Sequence, residues 1–160
     1  MPRRKYKKPK RSSVDPKYND PVIGLTINNI LKRGKKSRAE SLMYDALDLV
    51  EKKTGKNGPE VFQNAIKNIT PSVMVKSRRV GGATYQVPLE LHHDKARNIA
   101  IRWLLQYSRG RKGASFPERL SEEIIDAAEN RGGAIKKKSD THKMAEANKA
   151  FSHYRFYGAE

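Results

Sequence analysis

The chain has 160 residues, of which 34 are Lys or Arg and 17 are Asp or Glu, so its formal net charge at pH 7 is +17. This length predicts one domain, and the charge favours a polyanionic partner such as nucleic acid. The absence of cysteine excludes disulfides, thiolate zinc sites and cysteine nucleophiles, and no apolar run approaches the roughly 18 residues of a membrane span, so no membrane partner is expected.

Residues 1–18 are predicted to form a basic tail. Seven of the first 11 residues are Lys or Arg, and such a run repels itself and cannot bury apolar surface. We expect the tail to become ordered on a polyanion rather than to serve only for solubility. The predicted RNA contacts in the tail are Arg3, Arg4, Lys5, Lys7, Lys8, Lys10 and Arg11.

Three helices are predicted between the tail and residue 71. The first begins at Asp20 and Pro21, where a candidate N-cap precedes a proline at the first helical position. The second begins at Ser37 and Glu40, which have capping-box spacing, and the third begins at Pro59. A basic turn with Lys35 and Lys36 separates the first two helices. The residues predicted to face the core are Ile23, Ile27, Ile30, Leu31, Leu42, Met43, Ala46, Leu47, Leu49, Val50, Val61, Phe62, Ala65, Ile66 and Ile69.

Residues 72–90 are predicted to form a two-stranded β-hairpin arm. Alternating runs flank Gly81 and Gly82, which supply the positive φ angles that a tight turn requires. Pro88 predicts an edge position for the second strand. Tyr85 either packs in the protein or stacks on a base, and the residues leave both alternatives open. The hairpin's predicted RNA contacts are Lys76, Arg78, Arg79, Gly81, Gly82 and Tyr85.

Three more helices are predicted after the hairpin. Asp94 is a candidate cap for the fourth, Ser115 begins a capping box for the fifth, and Ser139 with Asp140 is predicted to cap the last, which runs through Phe151. The outer face of the fifth helix is predicted to be solvated and acidic, with Glu122, Glu123, Asp126 and Glu129. The RNA contacts predicted in this half of the chain are Arg109, Arg111, Lys112, Lys136, Lys137, Lys138, His142, Lys143, Asn148 and Lys149.

The predicted fold is therefore mainly α, a six-helix bundle-like domain with a protruding two-stranded β-hairpin arm and a basic N-terminal tail. The helical domain is predicted to span residues 19–156, with a short C-terminal end at 157–160. Basic charge is concentrated in three blocks: 13 basic against 2 acidic residues in 1–38, 9 against 2 in 76–112 and 7 against 2 in 131–155. Separate blocks indicate several contact surfaces for RNA phosphates on one scaffold.

Catalysis is poorly supported by the sequence. His92 and His93 are adjacent in the sequence, and the side chains of adjacent residues point in different directions on a strand or a helix. No further ligand set accompanies them, so we expect no metal site. We likewise expect no cofactor and no enzymatic activity. An RNA-processing enzyme would need an acid/base or metal constellation that the chain does not supply. The main alternative to an RNA-binding protein is an architectural DNA-binding protein with β arms that bend duplex DNA.

The segment Val75-Lys76-Ser77-Arg78-Arg79-Val80-Gly81-Gly82-Ala83-Thr84-Tyr85-Gln86-Val87-Pro88 closely resembles the signature of ribosomal protein seven of the small subunit, bacterial type. Shorter matches occur before and after it, in the same order along the chain, at residues 1–4, 15–16, 34–37, 126–130 and 136–151. The resemblance implies six helices with a protruding hairpin, in agreement with the fold predicted from the residues. The chain departs from many relatives at residues 92–94, where it has His-His-Asp instead of a more basic stretch.

The same resemblance implies a function. It implies a non-enzymatic, primary binder of small-subunit ribosomal RNA that nucleates assembly of the head, with the hairpin at the exit site close to mRNA and tRNA. It further implies neighbouring small-subunit proteins nine and eleven, no homo-oligomer, and a cytoplasmic location in the ribosome, with an organellar ribosome as the alternative.

Overall fold

The computed structural model describes residues 14–154. The predicted class is confirmed, since the described chain is mainly helical with one antiparallel two-stranded hairpin. A short 3₁₀ helix follows the last α-helix, and we call it the C-terminal turn. The elements are α1 (Pro21–Ile30), α2 (Lys36–Thr54), α3 (Gly58–Ile69), β1 (Val73–Val80), β2 (Ala83–Glu90), α4 (His93–Gly110), α5 (Phe116–Ala128), α6 (Gly133–Ala147) and the C-terminal turn (Lys149–Tyr154).

The core lies around α5, which packs against α2, α3 and α4. Its Leu120, Ile124 and Ala127 are fully buried, because they recur at helical spacing on one face. Phe62 of α3 and Leu104 of α4 are also fully buried in the same cluster. Each large apolar side chain removed from water contributes about 1.5–3 kcal/mol, so this cluster is what holds the helices together.

Two predicted helix starts are confirmed in detail. The Asp20 carboxylate accepts the Val22 N–H at 2.6 Å, with Pro21 at the first position of α1. At α5 the Ser115 hydroxyl accepts the Glu118 N–H at 3.4 Å, while the Glu118 carboxylate accepts the Ser115 N–H at 3.3 Å. Local sequence sufficed at both ends because each cap satisfies backbone amides within three residues of itself.

Two other predicted caps are wrong. α2 begins at Lys36 rather than after Ser37, and no side chain caps its first amides. α4 begins after His92, which places Asp94 in the first turn of the helix. There the Asp94 carboxylate accepts a hydrogen bond from the Arg97 guanidinium at 2.7 Å. A carboxylate in the first turn is favourable for the helix dipole without being the cap, so the same residue type suits both positions.

The start of α6 was predicted at Ser139 and lies instead at Gly133. Gly132 adopts φ +93, and a Cβ at Gly133 would overlap the Tyr107 ring, so both glycines are required where α6 approaches α4. The cap comes from another helix, since the Glu123 carboxylate accepts the Ala134 N–H at 2.9 Å. Glu123 is 1% exposed, which also corrects the prediction that it lies on a solvated face. The last helix ends at Ala147, short of the predicted Phe151.

The hairpin has a regular register in which Val73 pairs with Glu90 and Val80 with Ala83. The predicted Gly-Gly turn is confirmed, since Gly81 and Gly82 have φ +57 and +90. An isolated two-stranded ribbon is marginal in water, and this one is supported at its base, where Val87 is fully buried. α6 packs on both strands, and the C-terminal turn packs on β2.

Candidate nucleic-acid interface

The two faces of the distal hairpin have different surroundings. Directly paired residues of an antiparallel hairpin share a face, and successive residues alternate between faces. The pair Arg78 and Tyr85 therefore lies on one face, which we call the inner face. The two pairs that flank Arg78 and Tyr85 along the strands lie on the opposite face, which we call the outer face. All four side chains of these two pairs are exposed. These outer-face residues are Ser77, Arg79, Thr84 and Gln86.

The inner face packs on the C-terminal turn. The Tyr85 ring centroid lies 5.2 Å from that of Phe151 and 5.1 Å from that of Tyr154. The Arg78 guanidinium donates to the Tyr154 carbonyl oxygen at 2.6 Å. Of the two alternatives that the sequence left open for Tyr85, the structure shows packing within the protein. The adjacent arginines 78 and 79 consequently face in opposite directions.

α6 ties the base of the hairpin to the helical body. The Ser72 N–H, just before β1, donates to His142 Nε2 at 3.3 Å, and the Lys138 ammonium donates to the Asn68 carbonyl oxygen at 2.6 Å. Burial, followed by the nearby Lys138 charge, lowers the pKa of His142 below its usual 6.5. Two residues predicted to contact RNA therefore also position the hairpin.

The second and third basic blocks of the sequence meet at this junction. Arg78 and Tyr154 are 76 residues apart in the chain and are joined by a hydrogen bond. The exposed cations on the joined elements belong to both blocks, and we call them the junction cations. They are Lys76, Arg79, Lys136, Lys143 and Lys149. Of the other predicted contacts here, Lys137 is half-buried, and the Asn148 side chain donates to the Met144 carbonyl oxygen at 2.7 Å.

A second basic turn joins α1 to α2. Arg33 and Gly34 have φ +54 and +74, and this left-handed pair reverses the chain. Lys35 and Lys36 follow on the surface, and both are exposed. The Lys36 ammonium lies 3.4 Å from the Glu40 carboxylate one turn later, an arrangement that contributes only a few tenths of a kcal/mol on an exposed helix. Lys35 and Lys36 are therefore both available to bind an external anion.

The basic loop after α4 separates its cations. Arg109 and Lys112 are exposed, but Arg111 lies against carboxylates of α5. Its guanidinium donates to Glu123 at 2.6 Å and to Asp126, and lies 3.6 Å from Glu122. Burial lowers the pKa of Arg111, but the hydrogen bonds to Asp126 and Glu123 outweigh it and raise the pKa overall. An RNA phosphate would have to compete with these carboxylates for the guanidinium.

The predicted tail contacts between Arg3 and Arg11 lie outside the described residues. The described chain begins with a turn that the sequence analysis did not predict. Asp15 is 1% exposed and accepts the Tyr44 hydroxyl at 2.6 Å and the Tyr18 N–H at 2.9 Å. The Lys17 ammonium lies 4.9 Å from both tyrosine ring centroids. Asp15-Pro16 was a usable signal, since aspartate before proline favours a side-chain-capped turn. The turn attaches residues 15–18, the last part of the segment predicted as tail, to α2.

The described residues contain no candidate metal site. Within residues 14–154 no group of three or more His, Asp and Glu side chains is arranged to hold a metal ion. His92 and His93 are both exposed at the start of α4. None of the helices in this range is long and apolar enough to cross a membrane. What the described surface offers is exposed cations on a hairpin, a helix and two turns.

The comparison with known families is decisive, because residues 2–149 match the family described as Ribosomal protein S7p/S5e. The chain belongs to this family. A small ribosomal subunit protein uS7 from Pelotomaculum thermopropionicum is 54% identical over 156 residues, covering 98% of this chain and 100% of that protein. Proteins of the same name from Acetivibrio thermocellus and Anaeromyxobacter sp. (strain K) are 55% and 51% identical over 157 and 156 residues, with the same coverage. The match confirms the resemblance that the hairpin segment indicated. Membership of this family implies an RNA-binding protein of the small ribosomal subunit that takes part in translation.

Proposed function

We propose that the protein is a non-enzymatic structural constituent of the small ribosomal subunit that binds its ribosomal RNA directly, as a primary binder that nucleates assembly of the head. The meeting of two basic blocks at the hairpin is the observation that best supports this proposal. The packing of α6 and the C-terminal turn on the hairpin brings elements of both blocks together, and neutralising several phosphates at once is how a protein gains affinity for folded RNA. The basic turn at Lys35 and Lys36 and the tail add further contacts.

The hairpin is proposed to lie at the exit site, close to mRNA and tRNA, as the family resemblance implies. Its inner face is occupied by the C-terminal turn, which presets the hairpin's direction before any RNA is bound. Its outer face presents one arginine and three polar side chains. Such a face suits phosphate and ribose oxygens, because it has donors and acceptors but no aromatic ring for stacking. Neighbouring small-subunit proteins nine and eleven, and a cytoplasmic ribosome, complete the proposal.

An architectural DNA-binding role is the alternative, and the hairpin tip disfavours it. DNA-bending arms insert a large apolar wedge between base steps. Here the turn consists of Gly81 and Gly82, both exposed, between a half-buried Val80 and an exposed Ala83. The proline of this segment, Pro88, is buried at the base, where it cannot enter a duplex.

Competitive filter binding tests the proposal. Labelled small-subunit ribosomal RNA is bound to the full-length protein and competed with unlabelled ribosomal RNA or duplex DNA of equal length at 50 and 200 mM KCl. We expect ribosomal RNA to compete at least tenfold better than duplex DNA at both salt concentrations, because specific binding exceeds nonspecific binding by at least this factor. Nonspecific phosphate binding falls steeply with salt, so the comparison at 200 mM KCl is the more stringent one for a specific complex. Equal competition by duplex DNA would favour the DNA-binding alternative and contradict the proposal.

A further inference from the structure

The turn before α1 is attached to α2 by several independent contacts. The Asp15 carboxylate is buried and accepts the Tyr44 hydroxyl at 2.6 Å. It also accepts the backbone N–H groups of Lys17 and Tyr18 at 3.0 and 2.9 Å. The Tyr18 and Tyr44 rings meet edge to face with their centroids 5.9 Å apart, and the Lys17 ammonium lies 4.9 Å from both centroids. We call Asp15, Lys17, Tyr18 and Tyr44 the tail anchor.

The tail anchor is not the cap of α1. That helix has its own cap, because the Asp20 carboxylate accepts the Val22 N–H, and the Gln63 amide of α3 holds the same carboxylate at 2.6 Å. The Asp15 carboxylate accepts amides of the preceding turn and a hydroxyl from α2 instead. A buried carboxylate is costly unless it is hydrogen-bonded in this way, so the anchor fixes the chain upstream of α1.

The tail anchor lies beside the basic turn between α1 and α2. Val14, Asp15 and Pro16 line a small crevice together with Lys36. The chain therefore enters the described structure next to the second group of cations in the first basic block. Along the sequence, only four residues separate the last tail cation, Arg11, from Asp15, whereas nine separate it from Asp20.

We propose that the tail anchor positions the tail for RNA binding, by fixing the point on the helical body from which the tail reaches the RNA. The proposal rests on the proposed function for the RNA contacts themselves, and the anchor residues act without touching RNA. When two parts of a chain bind one partner, the effective concentration of the second part falls roughly as the −3/2 power of the connecting length. Moving the attachment point from Asp15 to Asp20 lowers it about threefold on this relation.

The test is a cycle of four full-length proteins: the unaltered chain, Tyr44→Phe, a tail variant, and the combination of the two. Tyr44→Phe keeps the ring but removes the hydroxyl that holds Asp15. The tail variant replaces the seven tail cations by glutamine, with R3Q, R4Q, K5Q, K7Q, K8Q, K10Q and R11Q. Filter binding to in vitro transcribed small-subunit ribosomal RNA is measured across a KCl series, after thermal unfolding has shown that each protein is folded.

Tyr44→Phe is expected to weaken binding about threefold in the unaltered chain and by less than about 1.5-fold in the tail variant. The log–log salt slope of Tyr44→Phe should equal that of the unaltered chain, because the same phosphates are contacted. Tyr107→Phe, which removes a hydroxyl from α4, is the matched control and should leave RNA affinity unchanged in both backgrounds.

A second variant tests the same idea with the anchor intact. Inserting Gly-Ser-Gly-Ser between Ser13 and Val14 lengthens the connection from four residues to eight, and should weaken binding about threefold at an unchanged melting temperature. This variant decides the question if Tyr44→Phe does not fold.

The proposal is overturned if Tyr44→Phe weakens binding equally with and without the tail cations, since the anchor would then act through the fold. It is also overturned if neither Tyr44→Phe nor the insertion changes RNA affinity. If the unaltered protein does not prefer ribosomal RNA over duplex DNA, the proposed function fails, and the same cycle measured on duplex DNA still decides whether the anchor positions the tail.

Discussion

Arg79 in the hairpin and Arg111 in the loop after α4 occupy similar sequence contexts, each next to another cation and close to glycine. In the structure, Arg79 is exposed on the outer face of the hairpin. Arg111 donates to Glu123 and Asp126 on α5. The difference comes from carboxylates 12 and 15 residues further along the chain, which α5 brings back against the loop. Local basic character therefore does not distinguish a cation that can receive RNA from one that joins helices.

The same contrast occurs within the hairpin. Arg78 and Arg79 are adjacent, yet the alternation of side chains along a strand places them on opposite faces. Arg78 reaches the C-terminal turn, while Arg79 points away from it. The hairpin thus has one arginine that anchors it and one that is displayed. Four substitutions, ordered here from the largest expected effect to the smallest, distinguish anchoring residues from displayed ones.

Replacing Arg111 should have the largest effect, and the effect should be on stability. Arg111→Ala leaves the Glu123 carboxylate, which is 1% exposed, without its guanidinium partner. Breaking a fully buried pair costs about 3–5 kcal/mol. Because the Arg111 side chain is 25% exposed, we expect the lower end of this range, about 3 kcal/mol, equivalent to a drop in melting temperature on the order of 10 °C for a chain of this size. Differential scanning calorimetry measures it.

Arg109→Ala is the matched control for Arg111, because it removes an exposed arginine two residues earlier. Its stability should change by less than about 0.5 kcal/mol. If Arg111→Ala instead weakened RNA binding while its melting temperature stayed unchanged, Arg111 would belong with the displayed residues and the contrast between the two regions would disappear.

Replacing Tyr85 should release the C-terminal turn. Tyr85→Ala removes the ring contacts with Phe151 and Tyr154, each of which contributes on the order of 1 kcal/mol. Amide hydrogen exchange in residues 149–154 should become about tenfold faster, with little change in the core helices, because local opening and global unfolding are separate events. Thr84→Ala on the outer face should leave exchange unaltered, and equal acceleration in both variants would show that the inner face is no anchor.

Replacing Arg79 should affect RNA binding without affecting the fold. Arg79→Ala removes an exposed side chain, so the melting temperature should stay within about 1 °C. Affinity for small-subunit ribosomal RNA should fall about fivefold, and the salt slope should fall by about 1. Filter binding across a salt series provides both quantities. A loss of several degrees in melting temperature would mean that Arg79 is structural like Arg78.

Titrating His142 should have the smallest effect. Burial and Lys138 hold the pKa of His142 in the folded protein below its ordinary value of 6.5. Between the folded-state pKa and the unfolded-state pKa of 6.5, the unfolded chain therefore binds more protons than the folded chain. The contribution of neutral His142 to the free energy of unfolding is therefore fully present above pH 6.5 and is lost as the pH decreases through the folded-state pKa. Melting temperatures at pH 7.5 and 5.5 should differ less in His142→Gln than in the unaltered protein.

The sequence predicted best those features that depend on residues close together in the chain. The Asp20 and Ser115 caps, the Gly81-Gly82 turn and the apolar faces of the helices all follow from interactions within a few residues. It failed at α6, where the cap of the first amides is a carboxylate from α5. It also failed to predict that Glu123 is buried, because the guanidinium that makes burial tolerable comes from another element.

For the candidate site, the sequence identified the basic segments but not their arrangement. Nothing in residues 76–79 indicates which arginine meets Tyr154, since the partner is 76 residues away. The buried Asp15 was missed for the same reason, because its partner Tyr44 lies on α2. The Asx-type turn at Asp15 was the one local signal available there.

By itself, the sequence determined the family, the mainly helical class and the cationic character of the surface, because motif, periodicity and composition are properties of neighbouring residues. The tertiary structure decided which cations are displayed and which are engaged. That choice depends on whether a carboxylate or carbonyl oxygen from a distant segment lies within hydrogen-bond reach. Arg79 and Arg111 are equally basic in the sequence, and only the packing of α5 and of the C-terminal turn gives them different roles.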